Sequence, residues 1–299
     1  MNPSRSLPSA GASPDPLSGV VRETAMVDGV PIAFVRLGHG PAVALIHGAS
    51  GNLNDMTFRL APALAATHTV IAFDRPGHGR SGWPEAGGET LLTQARLLRG
   101  AMVAAGIPRA TLIGHSYGGS VALAWALDAP ESVAGMLLLA APTQTWKGGL
   151  GLAAGVLASP LTGGIVSNLL PRLVTGGFAA RAADGVFAPQ TAPRGYLRHL
   201  DLSLLLQPAS LRRNARQLEA LKGELEARVS AYPGLPMPVS LLHGEADATV
   251  GLEAHSAPLA RALPGTPLVR LPGVGHMPHQ VALREVLDAF AALDARAGA

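Results

Sequence analysis

Short apolar runs alternate with longer helix-patterned stretches along most of this chain, and that alternation limits the possible folds more than any other feature. The runs are Ala42–Ile46, Thr69–Phe73, Ala110–Gly114, Val133–Leu139, Val239–Leu242 and Leu268–Leu271. Helical patterns separate them at Asn54–Ala66, Leu91–Ala105, Tyr117–Leu127 and Glu253–Leu263, and a last amphipathic stretch covers His279–Arg296. A strand buried on both faces reads as an unbroken apolar run, and a crossover helix between two such strands makes them parallel. The pattern predicts an α/β fold, a mostly parallel twisted sheet with helices on both faces. Upstream, Arg22–Val27 and Pro31–Leu37 flank Asp28-Gly29. That dipeptide marks a hairpin turn, so an antiparallel edge is expected.

The rhythm fails once. From Ala141 to Met237 the pattern is mostly helical, as at Arg194–Leu206 and Leu211–Val229. An insertion of this kind in mid-sheet reads as a helical cap over the C-terminal edge, where ligands sit in open α/β sheets. The expected organisation is a flexible tail over 1–20, a core domain over 21–142 and 236–299, and a helical cap or lid over 143–235. The tail, rich in Ser, Pro, Gly and Ala, has no apolar h-region of a secretory signal.

Composition removes several classes of function. Hydrophobic residues make up 48% and charged residues 14%, enough apolar content for a large core. The net charge is only +3, the sole lysines are Lys147 and Lys222, and no basic stripe is present, so no nucleic-acid partner is expected. With no cysteine, thiolate catalysis, disulfides and Cys-ligated metals are excluded. The apolar stretch Gly149–Val174 is interrupted by Pro160, Gly163, Gly164 and Pro171 before about 18 apolar residues accumulate, so it predicts a greasy lid with weak membrane-surface contact and no spanning helix. A cytoplasmic location is the corresponding expectation.

Within Thr111–Ala122, TLIGHSYGGSVA, the Gly-x-Ser-x-Gly pattern is weak alone in a chain with 36 glycines. A serine hydroxyl needs a base, a group that orients the base and donors for an oxyanion before it acts as a nucleophile. Ser116 would sit between a buried strand and a helix, with Gly114 and Gly118 leaving room at the turn. The Tyr117 amide, first in that helix, is one expected oxyanion donor. The loop His47-Gly48-Ala49-Ser50 follows an earlier strand, and the Ala49 amide is the expected second donor; a plain Gly-rich βα loop is the alternative there. His276, in LPGVGHMPHQ after the last strand, is the expected base. Asp247, in HGEAD after Val239–Leu242, is the expected acid, with Glu245 its local competitor. A metal pair at His276 and His279 is poorly supported, because no third ligand clusters with them in sequence; His279 is expected to cap or line the site.

HGAS, DRPGHGRS at Asp74–Ser81, GHSYGG, HGEAD and GVGHMPH, in that order, resemble the α/β-hydrolase fold family over about residues 21–296. The order Ser116, Asp247, His276 is the triad order of that family. The resemblance implies a nucleophile–acid–histidine triad with no metal and no organic cofactor. It gives DRPGHGRS a structural role at the pocket floor, with His47, His78 and Arg80 structural and His115 packing. Haloalkane dehalogenases and epoxide hydrolases of the fold use an aspartate, and dienelactone hydrolases a cysteine, where this chain has Ser116. The expected activity is hydrolysis of a carboxylic ester of a small, lipophilic molecule. Thioesterase, carbon–carbon bond hydrolase and ligand receptor are the alternatives. The apolar residues Leu150, Leu152, Val156, Leu157, Leu161, Ile165, Val166, Leu169 and Leu170 suggest the lipophilic substrate, with packing on one another an equal alternative. Arg194, Arg198, Arg212 and Arg213 are expected on solvated helix faces, and Tyr196 and Tyr232 in the core or at the surface.

Overall fold

The computed structural model describes residues 20–146, 157–159, 163–173 and 176–298. Residues 1–19 of the expected tail over 1–20 and the cap residues Leu150, Leu152, Val156 and Leu161 lie outside the described residues, as do the side chains of Ile165 and Leu170.

The strands are β1 (Arg22–Val27), β2 (Val30–Leu37), β3 (Ala42–Ile46), β4 (Thr69–Phe73), β5 (Ala110–His115), β6 (Val133–Leu139), β7 (Val239–Gly244) and β8 (Leu268–Leu271). They form one sheet in the order β1-β2-β4-β3-β5-β6-β7-β8. The β1–β2 and β2–β4 pairs are antiparallel and every other pair is parallel. Asp28 and Gly29 both have positive φ (49° and 77°), the conformation a tight hairpin turn demands.

Alternation along the strands divides the core into two layers. Ala44 and Ile46 of β3 and Leu112 of β5 join one buried cluster, with Leu98 and Trp125. Val43, Leu45 and Ile113 join the other, with Leu60, Val286 and Leu293. Successive strand side chains point to opposite faces, so burial on both sides is what requires an unbroken apolar run. Each such side chain contributes about 1.5–3 kcal/mol when fully buried.

The helices are α1 (Leu53–Thr57), α2 (Leu60–Leu64), α3 (Leu91–Ala104), α4 (Tyr117–Asp128), α5 (Gly163–Leu173), α6 (Gly176–Phe187), α7 (Tyr196–Leu200), α8 (Leu202–Leu205), α9 (Pro208–Glu226), α10 (Ser256–Ala262), α11 (Pro278–Val281) and α12 (Leu283–Ala297). On α12 the buried residues Val286, Ala289, Phe290 and Leu293 repeat at helical spacing and close one face of the sheet. Three expected helices are broken. Asn54–Ala66 divides at Phe58–Arg59, where Phe58 meets Tyr196 and His199. Arg194–Leu206 divides at Asp201, whose φ is positive at 57°. His279–Arg296 divides at Ala282, which leaves helical geometry at φ −132°.

Helices α5–α9 occupy the interval between β6 and β7. Gly163 and Gly164 open α5, and Pro171 lies in its last turn. Leu221 and Leu225 of α9 join the same buried cluster as the sheet residues. No helix among the described residues is long and apolar enough to cross a membrane.

Candidate active site

The C-terminal ends of β3, β5, β7 and β8 bring Ala49, Ser116, Asp247 and His276 to one edge of the sheet. Ser116 caps α4 with φ 50° and ψ −125°, and its amide donates to the Leu139 carbonyl at 2.9 Å. The turn is possible because two glycines bring backbones together. A Cβ on Gly114 would meet the Gly118 carbonyl oxygen at 2.5 Å, and one on Gly118 would collide with the carbonyl of Ile46. A Cβ on Gly48 would lie 3.1 Å from the Ser116 Cβ, so the HGAS loop rests against the serine.

Ser116 Oγ lies 3.0 Å from His276 Nε2, and His276 Nδ1 lies 2.7 Å from Asp247 Oδ2. All three side chains are buried. Asp247 Oδ1 accepts from the amides of Thr249 (2.8 Å) and Val250 (2.9 Å). Burial alone would raise its pKa, but hydrogen bonds from His243 and His276 and the Val250 amide outweigh burial and hold the carboxyl well below the usual range. It is anionic at neutral pH and fixes a proton on His276 Nδ1, which leaves Nε2 as an acceptor for the serine proton. Glu245, the local competitor, lies 3.9 Å from Arg270 at the surface.

Neither of the amides expected as oxyanion donors is taken by a backbone carbonyl among the described residues. Tyr117 is the first residue of α4, so its amide has no intrahelical acceptor. The Ala49 amide donates to no backbone carbonyl among the described residues. Ala49 and Ser116 line a cavity of about 440 Å³.

The roof of that cavity is apolar. Val186, Phe187, Leu197, Leu200, Leu205 and Leu211 line it, all from α6–α9 or the segments joining them. Among the described residues the lining lies further along the insertion than the expected stretch; Leu169 is 48% exposed. No arginine or lysine lines the cavity among the described residues. Arg194 and Arg198 are exposed, Arg212 donates to Ser167 Oγ at 2.7 Å, and Arg213 lies over the Trp83 ring.

Several functional-looking residues escaped sequence reasoning. His243 Nε2 lies 2.7 Å from the Val250 carbonyl and 3.1 Å from Asp247 Oδ2, while its Nδ1 lies 2.7 Å from Ser256 Oγ. It thus braces the acid from behind. Asp55 accepts from Tyr196 Oη at 2.9 Å, His279 Nε2 at 3.1 Å and Gln280 Nε2 at 3.0 Å. Burial would raise the Asp55 pKa, yet the charge of His279 and the hydrogen bonds from His279 and Tyr196 keep it well below the usual range. His115 donates through Nε2 to the His276 carbonyl at 2.8 Å and stacks between the rings of His276 and His279. Tyr196 is buried as expected and also lines the cavity. Asp55, His115 and His279 could offer three metal-ligand atoms within 4.8 Å of one another, a different set from the His276–His279 pair. The hydrogen bonds from Tyr196, Gln280 and His279 already fill Asp55 Oδ1. The last group is the buried Arg75, inside the DRPGHGRS segment that follows β4, with Gln94 and Gln217.

Residues 43–289 match the profile described as "Alpha/beta hydrolase family". The dihydrolipoyllysine-residue acetyltransferase component of the acetoin cleaving system of Cupriavidus necator is 42% identical over 114 residues, 38% of this chain and 30% of that protein. The match thus spans under a third of that relative's length. The magnesium-chelatase 30 kDa subunit of Rhodobacter capsulatus is 33% identical over 258 residues, covering 81% of this chain and 83% of that one. An alpha/beta hydrolase fold protein from Burkholderia ambifaria superposes with a TM-score of 0.75 at 23% identity, covering 91% of this chain and 97% of the other.

Proposed function

The chain belongs to the alpha/beta hydrolase family, and on that premise we propose that it is a serine hydrolase cleaving a carboxylic ester of a small lipophilic molecule. The observation that carries the proposal is the unbroken hydrogen-bonded line from Ser116 Oγ through His276 to Asp247. His276 Nε2 takes the hydroxyl proton as Ser116 Oγ attacks the ester carbonyl. The amides of Ala49 and Tyr117 receive the developing oxyanion, which forms at the positive end of α4. His276 then gives the proton to the leaving alkoxide, and Asp247 offsets the imidazolium charge meanwhile. Water, deprotonated by His276, attacks the acyl-enzyme and frees Ser116.

The lining supports an uncharged, lipophilic acyl or alcohol group. A hydrolase of charged dicarbonyl compounds needs a cation near the reacting carbon, and no arginine or lysine among the described residues lines the cavity. The test is a hydrolysis panel of p-nitrophenyl esters of increasing chain length, acyl thioesters and dicarbonyl compounds, with Ser116→Ala as control. Ester turnover that vanishes in the variant is expected. Turnover confined to dicarbonyl substrates, or unaffected by the substitution, overturns the proposal.

A further inference from the structure

Arg75 follows β4 directly, and its guanidinium is fully buried. No carboxylate pairs with it among the described residues. Nη1 donates to Gln94 Oε1 at 2.7 Å and Gln217 Oε1 at 2.8 Å. Nε donates to the His47 carbonyl at 3.0 Å and Nη2 to the Gly48 carbonyl at 2.9 Å. Burial draws its pKa down to about 10, which leaves it cationic at neutral pH. Four neutral acceptors take four of its five protons, and His78 Nε2 lies 3.3 Å from Nη2, so its protons are engaged without its charge being cancelled. A buried cation in that state is costly, so the fold keeps it against a penalty.

The acceptor that matters is Gly48 O. It belongs to the same peptide unit as the Ala49 N–H, and in a planar trans peptide the two point in opposite directions. His47 Nδ1 also donates to this oxygen, at 2.8 Å, with its tautomer set by the Arg75 amide, which donates to Nε2 at 3.0 Å. Both lone pairs of the carbonyl are therefore held from behind, and donation to a carbonyl strengthens its own peptide N–H as a donor. The guanidinium also lies over the Tyr117 ring, 4.4 Å from its centroid. One cation thus contacts the Gly48–Ala49 peptide unit through its carbonyl and the Tyr117 side chain through its ring, next to both amides assigned above to the oxyanion.

We propose that Arg75 is a positioning residue for the oxyanion hole: it fixes the Gly48–Ala49 peptide with its N–H toward Ser116 and leaves an uncompensated positive charge behind the point where the oxyanion forms. This rests on the serine-hydrolase reading above, and a first measurement separates the two. If the wild type neither hydrolyses p-nitrophenyl butyrate nor reacts at Ser116 with a fluorophosphonate, that underlying reading fails and this proposal falls with it.

With an active wild type, Arg75→Met should lower kcat on p-nitrophenyl butyrate about 10²-fold, comparable to the loss of an oxyanion donor, with KM changed less than about threefold. Affinity for a trifluoromethyl ketone of the same chain length, which forms the tetrahedral adduct, should fall by the same factor. Affinity for the matching unreactive alcohol should stay level. Arg75→Lys should fall between the variant and the wild type. Gln217→Glu sets a carboxylate on the buried cation while keeping its shape, and kcat should drop about tenfold as the field is cancelled. If Arg75→Met does not fold, Arg75→Lys and Gln217→Glu decide the matter. Unchanged kcat in those variants, or equal losses for ketone and alcohol, overturns the proposal.

Discussion

The two walls of the cavity are built on different principles. The floor, carried on the ends of β3, β4, β5, β7 and β8, is a set of polar groups each held by specific partners at fixed distances. Its backbones approach so closely that Gly114 and Gly118 have no room for a Cβ. The roof, carried on α6–α9, is mostly leucine, with a few polar ties such as Tyr196 to Asp55 and Asn52 Nδ2 to the Leu200 carbonyl at 2.7 Å. A floor residue is defined by the direction of a bond. A roof residue is defined by the volume it fills, and another apolar side chain can fill it at small cost. Under the proposed function, reaction type belongs to the first wall and substrate choice to the second.

Substitutions should separate the walls in order of effect. Ser116→Ala should lower kcat about 10⁶-fold, and Asp247→Asn about 10⁴-fold through the wrong imidazole tautomer, both read from initial rates on a p-nitrophenyl ester. Gly118→Ala should cost about 3–5 kcal/mol in urea unfolding, since its Cβ lands on the Ile46 carbonyl; a change under 1 kcal/mol would show the elbow to be compliant. Asp74 gives the floor a hidden charge: burial pushes its pKa up to about 6, only partly offset by the amides of Leu53 and Arg80. Folding then holds a proton that the unfolded chain releases, so its stabilising contribution is full below about pH 4 and is lost as pH rises through 6, about 3 kcal/mol in all. The difference in unfolding free energy between wild type and Asp74→Asn should shift by that amount between pH 4 and 7, and a flat difference would refute the raised pKa. Leu205→Ala should leave kcat on a short ester within about threefold while shifting the long-to-short ratio of kcat/KM about tenfold. A larger loss on the short ester would mean the roof takes part in the chemistry.

The same division decides what could be read from residues alone. β3, β4 and β6 have the ends their apolar runs suggested, because burial of nearly all their side chains makes apolar residues stop where the strand leaves the sheet; β8, at the edge, has the suggested ends although Arg270 within it is exposed. The loops after β3, β5, β7 and β8 were legible because glycine and polar residues at strand ends have few roles there besides turns and sites. Asp55 with Tyr196, and Arg75 with Gln217, were not legible. Each pair joins residues more than 130 positions apart, so no local pattern reveals the pairing. Gln217 sits on the buried face of α9 beside Leu221, where an apolar side chain would be the usual choice. That single misfit in the helical pattern was the available signal. The leucines of the roof carry no such mark, since apolar residues on a helix face signal burial without saying against what.

Helix α9 complicates any picture of the roof as a detachable part. Gln217 holds Arg75, and Asn214 binds Ser50 twice, accepting from its amide at 2.8 Å and donating to its Oγ at 3.0 Å. The HGAS loop is thereby clasped by residues from a helix that arrives after most of the apolar lining, all but Leu211 of the roof leucines, has been laid down. Interchangeability of the roof therefore ends before Pro208. A chimera that borrows α6–α8 exchanges cavity shape alone, whereas one that also borrows α9 must bring the loop after β4 with it or lose the grip on its own HGAS loop.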